Sequence, residues 1–207
     1  MKTDEYYIAQ AIKEANKAYK IGEVPVGCVI VIGDKIVARS HNLRQTKHDA
    51  TKHAEIIAIS KACKKLNRWI LDDATLYCTL EPCAMCSGAI LQARIKRVVF
   101  GAFEPKFGCC GSVINIFDND FNHKVEVTSG IKKEEIEKMM KDFFKELREK
   151  KQNFIANEKS LWYTLLVAKV NYDRSHFKYL HPISDSEPGQ VVTEAALSSF
   201  WYVGVGT

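Results

Sequence analysis

Apolar and polar positions alternate along the first 150 residues with two periods. Tyr7, Ile8, Ala11, Ile12, Ala15 and Ala18 recur at helical spacing and stop before Gly22, which predicts a first helix with one buried face. After Pro25 the period shortens. Two runs rich in β-branched residues, 27–32 and 35–40, flank Gly33 and Asp34, a two-residue connection suited to a tight antiparallel hairpin. Residues 53–66, with Ala54, Ile56, Ile57, Ala58, Ile59, Ala62 and Leu66, read as a buried helix entered after Asp49 and Thr51, both candidate caps. Residues 74–80 read as a strand. Pro82 then opens a helix to about Arg94, at the first helical position where its missing N–H costs nothing. A strand over 95–100, a glycine-rich loop over 106–112, a short strand over 124–127 and a long helix over 132–151 complete the pattern. Strands separated by helices predict an α/β fold, specifically a three-layer α/β/α sandwich.

After residue 152 the periodicity degrades. Residues 161–168 form a short apolar run, Pro182 and Pro188 interrupt the stretch beyond it, and 198–207 are apolar with two glycines. The chain's 207 residues suit one ordinary domain or one domain with an appendage. We therefore expect a domain over 1–152 and an extension over 153–207. Charge shows the same division. The extension holds four Lys/Arg against five Asp/Glu, which leaves 26 against 20 for the rest. That basic excess suits a polyanionic partner without requiring one. With 46% hydrophobic and 27% charged residues the chain can bury a core and is neither disordered nor fibrous. No stretch approaches the roughly 20 apolar residues that cross a bilayer, and the N-terminus has no signal-peptide pattern. Seven unevenly clustered cysteines fit a reduced compartment with metal or packing roles better than a disulfide framework. A cytoplasmic location without membrane attachment is the expectation.

The chemistry concentrates in His53-Ala54-Glu55 and Pro82-Cys83-Ala84-Met85-Cys86. Cysteines three apart at a helix start share a face, and the free N–H groups of that end favour thiolates. Two thiolates and one imidazole give zinc three ligands and leave its fourth position open, the arrangement of catalytic zinc. Glu55 lies two residues from His53, about 200° around a helix interior, so the helix should begin near residue 53 and present its end to the metal. There a carboxylate can carry protons. A lone C-x-x-C is often redox-active or structural and a lone histidine is often only packed. Here all the elements occur together, and the pairing is a known signature of zinc-dependent nucleobase deaminases.

Further stretches extend the likeness. Glu23-Val24-Pro25-Val26-Gly27, His41-Asn42, His48-Asp49, Leu80-Glu81-Pro82-Cys83-Ala84-Met85-Cys86, Val98-Val99-Phe100-Gly101-Ala102, Gly111-Ser112 and Asn122-His123 resemble the bacterial tRNA-specific adenosine deaminase family over about residues 3–152. The resemblance implies a homodimeric cytidine-deaminase-like fold with a mixed central sheet. It also implies hydrolytic deamination of adenosine to inosine at the wobble position of an arginine tRNA anticodon. Carried over to these positions, His53, Cys83 and Cys86 would ligate one Zn2+ per subunit, Glu55 would shuttle protons, and Asn42 would bind the flipped adenine. The tRNA anticodon stem-loop is the implied partner, with Lys106, Lys145 and Arg148 as candidate phosphate contacts. Phe144 would hold a flanking base or belong to the core. Ala50 stands where the family often has proline, Glu104 where aspartate is common, and Cys109 and Cys110 where residues are smaller; the two cysteines are read as loop packing.

Two other functions fit parts of the pattern: a deaminase of a free base such as guanine or cytosine, and a zinc module that only binds RNA. Glu55 argues against the second. For 153–207 the readings are a small accessory domain or a poorly ordered tail produced by read-through into a neighbouring RNA gene. The lost periodicity and lost basic excess point to the latter.

Overall fold

The computed structural model describes residues 2–176. In chain order they form α1 (Asp4–Lys20), β1 (Gly27–Ile32), β2 (Lys35–His41), α2 (Ala54–Leu66), β3 (Ala74–Leu80), α3 (Ala84–Gln92), β4 (Arg97–Ala102), a 3-10 turn (Ile116–Asp118), β5 (Glu126–Thr128) and α4 (Lys133–His176). The strands make one sheet in the order β2-β1-β3-β4-β5. β1 pairs antiparallel with β2 and β3, whereas β3–β4 and β4–β5 are parallel. The sheet is mixed, as expected. The hairpin closes Ile32 against Lys35 across Gly33, whose φ of +56° is open to glycine at no steric cost.

Strand alternation sorts the core into two layers. Cys28, Ile30, Leu76, Cys78, Val98 and Phe100 pack with Ala54, Ala58 and Ala62 of α2 and Ile90 and Leu91 of α3. The intervening Val29, Val31, Tyr77 and Val99 pack with Tyr7, Ile8 and Ile12 of α1 and Ile136 of α4. Each fully buried aliphatic side chain adds roughly 1.5–3 kcal/mol. A Cβ at Gly27 would lie 2.0 Å from the Ala11 carbonyl oxygen and 2.4 Å from the Ala15 nitrogen, so α1 rests on β1 only because residue 27 has no side chain. Arg97 then ties the start of α1 to the sheet, donating to both Asp4 carboxylate oxygens at 3.0 and 2.7 Å, while the Tyr77 hydroxyl donates to the same carboxylate at 2.9 Å. Chiefly through Arg97, the Asp4 carboxyl is held below its ordinary pKa.

Four local expectations change. Pro82 lies outside α3, whose N-cap is Cys83, so proline precedes the cap rather than occupying the first turn. Asp49 and Thr51 do not cap α2. The Asp49 carboxylate instead accepts from the Thr51 N–H at 2.8 Å and hydroxyl at 2.6 Å, which closes a turn within the loop. β4 begins two residues later than residue 95, and β5 is likewise displaced. Finally, α4 continues well beyond residue 151, to His176, because no glycine or proline stands between Gly130 and Pro182 to stop it.

The chain divides into two compact units, Met1–Phe154 and Ile155–Thr207. The expectations attached to Pro182, Pro188 and 198–207 fall outside the described residues. Among the described residues no helix is long and apolar enough to cross a membrane.

Candidate active site

The N-termini of α2 and α3 converge. His53 and Cys83 each occupy an N-cap with extended backbone, φ/ψ of −73°/153° and −77°/175°, and neither side chain caps its own helix. Both are turned to a shared point instead. His53 Nδ1 lies 3.7 Å from Cys83 Sγ and 3.6 Å from Cys86 Sγ, and the three ligand atoms all lie within 4.8 Å of one another. Around a tetrahedral zinc with Zn–N of about 2.0–2.1 Å and Zn–S of about 2.3 Å, nitrogen and sulfur would be roughly 3.6 Å apart. The donor set and its spacing therefore fit zinc. No other group of this kind occurs among the described residues.

The electrostatics agree with a thiolate-bearing site. Hydrogen bonding from the Cys86 thiol, against the opposing effect of burial and with help from His53, pulls Cys83 down to about 4. Cys86 moves up as the donor of that pair, and His53 moves up chiefly through its hydrogen bond with Cys83. Cys83 is thus the thiolate of the three, faced by protons on Cys86 and His53, and a bound cation would displace those protons.

Glu55, in the first turn of α2, is 3% exposed, and its Oε2 has no hydrogen-bond partner among the described residues. Burial raises its pKa toward the range where a carboxyl can both take and give a proton. Cys28 and Cys78, beneath it in β1 and β3, are pushed well up by burial, with the Glu55 charge as a further cause. They remain packed thiols.

Asn42 is buried directly after β2, and its Nδ2 donates to Glu23 Oε2 at 3.1 Å. The Thr46 N–H fixes the other oxygen of Glu23 at 2.6 Å. Burial works against the Glu23 charge, but the Thr46 and Gln45 hydrogen bonds outweigh it and keep its pKa low. Asn42 is therefore oriented by an ionised carboxylate, a partner that spacing alone does not indicate. Lys106, Lys145 and Arg148 are exposed. Phe144 is 39% exposed and sits edge-on to the buried Phe143, so it is not a core residue. Cys109 and Cys110 are buried in the loop, bonded to the Phe107 carbonyl at 3.4 Å and the Ser87 hydroxyl at 3.7 Å.

Residues 2–148 match the family model of the MafB19-like deaminases, and with the mixed sheet this makes the protein a deaminase of the cytidine-deaminase-like fold. Nearer relatives narrow the class. The tRNA-specific adenosine deaminase of Bacillus subtilis (strain 168) is 52% identical over 153 residues, 73% of this chain and 95% of that one. The corresponding protein of Haemophilus influenzae is 45% identical over 160 residues, 76% and 92% of the two chains. A solved structure from work on A-to-I editing by tRNA:A34 deaminases at the wobble position of transfer RNA has a TM-score of 0.62 at 40% identity, covering 64% of this chain and 97% of its own. The chain belongs to the bacterial tRNA-specific adenosine deaminase family.

Proposed function

We propose that this protein hydrolyses adenosine to inosine at the wobble position of a tRNA anticodon, that of an arginine tRNA, as a zinc-dependent cytoplasmic homodimer. What supports the chemistry most is the buried Glu55 carboxyl, with its Oε2 unpartnered, beside the His53, Cys83 and Cys86 donor set. The likeness to tRNA deaminases over nearly their whole length supports the substrate.

His53, Cys83 and Cys86 would hold one zinc ion per subunit, which when bound supplies the Lewis acid that activates water. Glu55 takes a proton from the attacking water and delivers it to N1 of the adenine. It then relays the proton that lets ammonia leave C6, so that water and adenosine become inosine and ammonia. Asn42 has one Nδ2 hydrogen committed to Glu23, which leaves Oδ1 and the second hydrogen to pair with the flipped base. Residues 1–152 carry all of this chemistry, and 153–207 is an extension that adds none.

A transcribed anticodon stem-loop incubated with zinc-loaded protein should accumulate inosine at the first anticodon position, and a chelator should stop it. Free guanine and cytosine should remain unchanged. Turnover of a free base without inosine in the RNA would replace this reading.

A further inference from the structure

Glu81 takes no part in the proposed chemistry, yet its carboxylate is 2% exposed at the end of β3, two residues before Cys83. Four donors from a single loop converge on it. Oε1 accepts the Cys110 N–H at 2.9 Å and the Ser112 N–H at 3.0 Å, while Oε2 accepts the Glu104 N–H at 3.0 Å and the Ser112 hydroxyl. The loop is also joined to the metal end through its backbone. The Cys109 N–H donates to the Pro82 carbonyl at 2.9 Å, and Gly108 forms a bridge with Cys83. A Cβ at Gly108 would stand 2.4 Å from the Glu81 carboxyl and 2.6 Å from the Glu104 carbonyl oxygen. Glycine therefore permits the approach, and the carboxylate holds it. On its outer side the same loop exposes Lys106 and 69% of Phe107.

We infer that Glu81 is a positioning residue, which clamps loop 104–112 to the start of α3 so that its rim, Lys106 and Phe107, meets the RNA at a fixed place. The inference rests on the proposed RNA substrate. A buried carboxylate facing four donors cannot be replaced by an amide without loss. In either orientation of a glutamine, its NH2 group faces at least one of the backbone N–H groups and leaves it unpaired. An exposed aromatic ring next to a lysine offers a base-stacking face beside a phosphate contact. A surface of that kind works best when its backbone is fixed before the RNA arrives.

The test compares Glu81→Gln, Gly108→Ala and Phe107→Ala with the zinc-loaded wild type, using an anticodon stem-loop. For Glu81→Gln and Gly108→Ala we expect KM to rise about tenfold with kcat changed less than about threefold, the pattern of lost substrate binding. Zinc content should be unchanged, and amide hydrogen exchange at Glu104, Cys110 and Ser112 should accelerate. Phe107→Ala should raise KM without changing that exchange. Ser112→Ala, which removes only the hydroxyl donor, should show the first pattern weakly and covers the case in which the other loop variants fail to fold. Loss of zinc or of kcat at unchanged KM would overturn the inference, as would unchanged exchange in Glu81→Gln. If the wild type made no inosine, the function reading would fall, while the exchange comparison would still decide whether Glu81 holds the loop.

Discussion

α1 enters through Thr3, whose hydroxyl accepts the Tyr6 N–H at 3.4 Å; α2 and α3 enter through His53 and Cys83, which adopt the same extended cap backbone and return no side-chain hydrogen bond. The three helices therefore start with similar geometry and different chemistry. On the α1 and α4 side of the sheet, Thr3, Asp4 and Ile136 serve the fold: an ordinary cap, an ion pair and a packed aliphatic. On the α2 and α3 side, two cap positions are given to the proposed metal donors, and one oxygen of the Glu55 carboxyl is buried without a partner. Helix ends left in this way forgo about 1 kcal/mol each, and a bound metal would return it. At these positions one side of the sheet is arranged for stability, and the other gives up stability where the proposed chemistry would lie.

The strongest test of this division is Glu55→Ala. It should lower kcat on the order of 10³-fold or more, the range of a lost general acid–base, with metal analysis still finding zinc. Turnover near that of the wild type would sink the assignment. On the other side, Ile136→Ala should cost about 2–5 kcal/mol of unfolding free energy in a denaturant titration, with zinc stoichiometry unaltered; a fall in zinc binding would mean that the two layers are not independent. Thr3→Ala should cost about 1 kcal/mol or less and leave inosine formation at the wild-type rate. The smallest effect concerns pH. Because Asp4 has a lowered folded pKa, its contribution is present above the ordinary value of 3.8 and is lost as pH falls through the folded one. Asp4→Asn should thus be less stable than wild type near neutrality, and the gap should close in acid. A gap independent of pH would show that charge is not the cause.

Where period and chemistry coincide, the sequence is legible. The hairpin around Gly33, the α2 stripe and β3 come from local spacing alone, and the requirement that a helix start near His53 comes from the angle between His53 and Glu55. Long-range partners are not legible. Nothing local says that Glu23 orients Asn42 or that Glu81 gathers a loop about 25 residues downstream, although a charged residue between Leu80 and the Pro82-Cys83 turn is a signal of some role. Pro82 and Asp49 mislead because both have strong local preferences for helix starts, while His53 and Cys83 take the cap positions. The length of α4 escapes the periodicity because loss of an apolar stripe resembles loss of helix, although no breaker residue intervenes.

The strand order has a consequence in time. β1 meets β2 across a two-residue turn, but it meets β3 only after the whole of α2 has been made and folded back. His53 and Cys83, which flank that interval, are expected to come together only when this slower, non-local pairing is complete. A zinc ion bound at the proposed site would then meet a nearly finished chain and strengthen contacts formed after the rate-limiting step. It is expected to slow unfolding and leave the refolding rate unchanged; faster refolding in zinc would reverse that order of events.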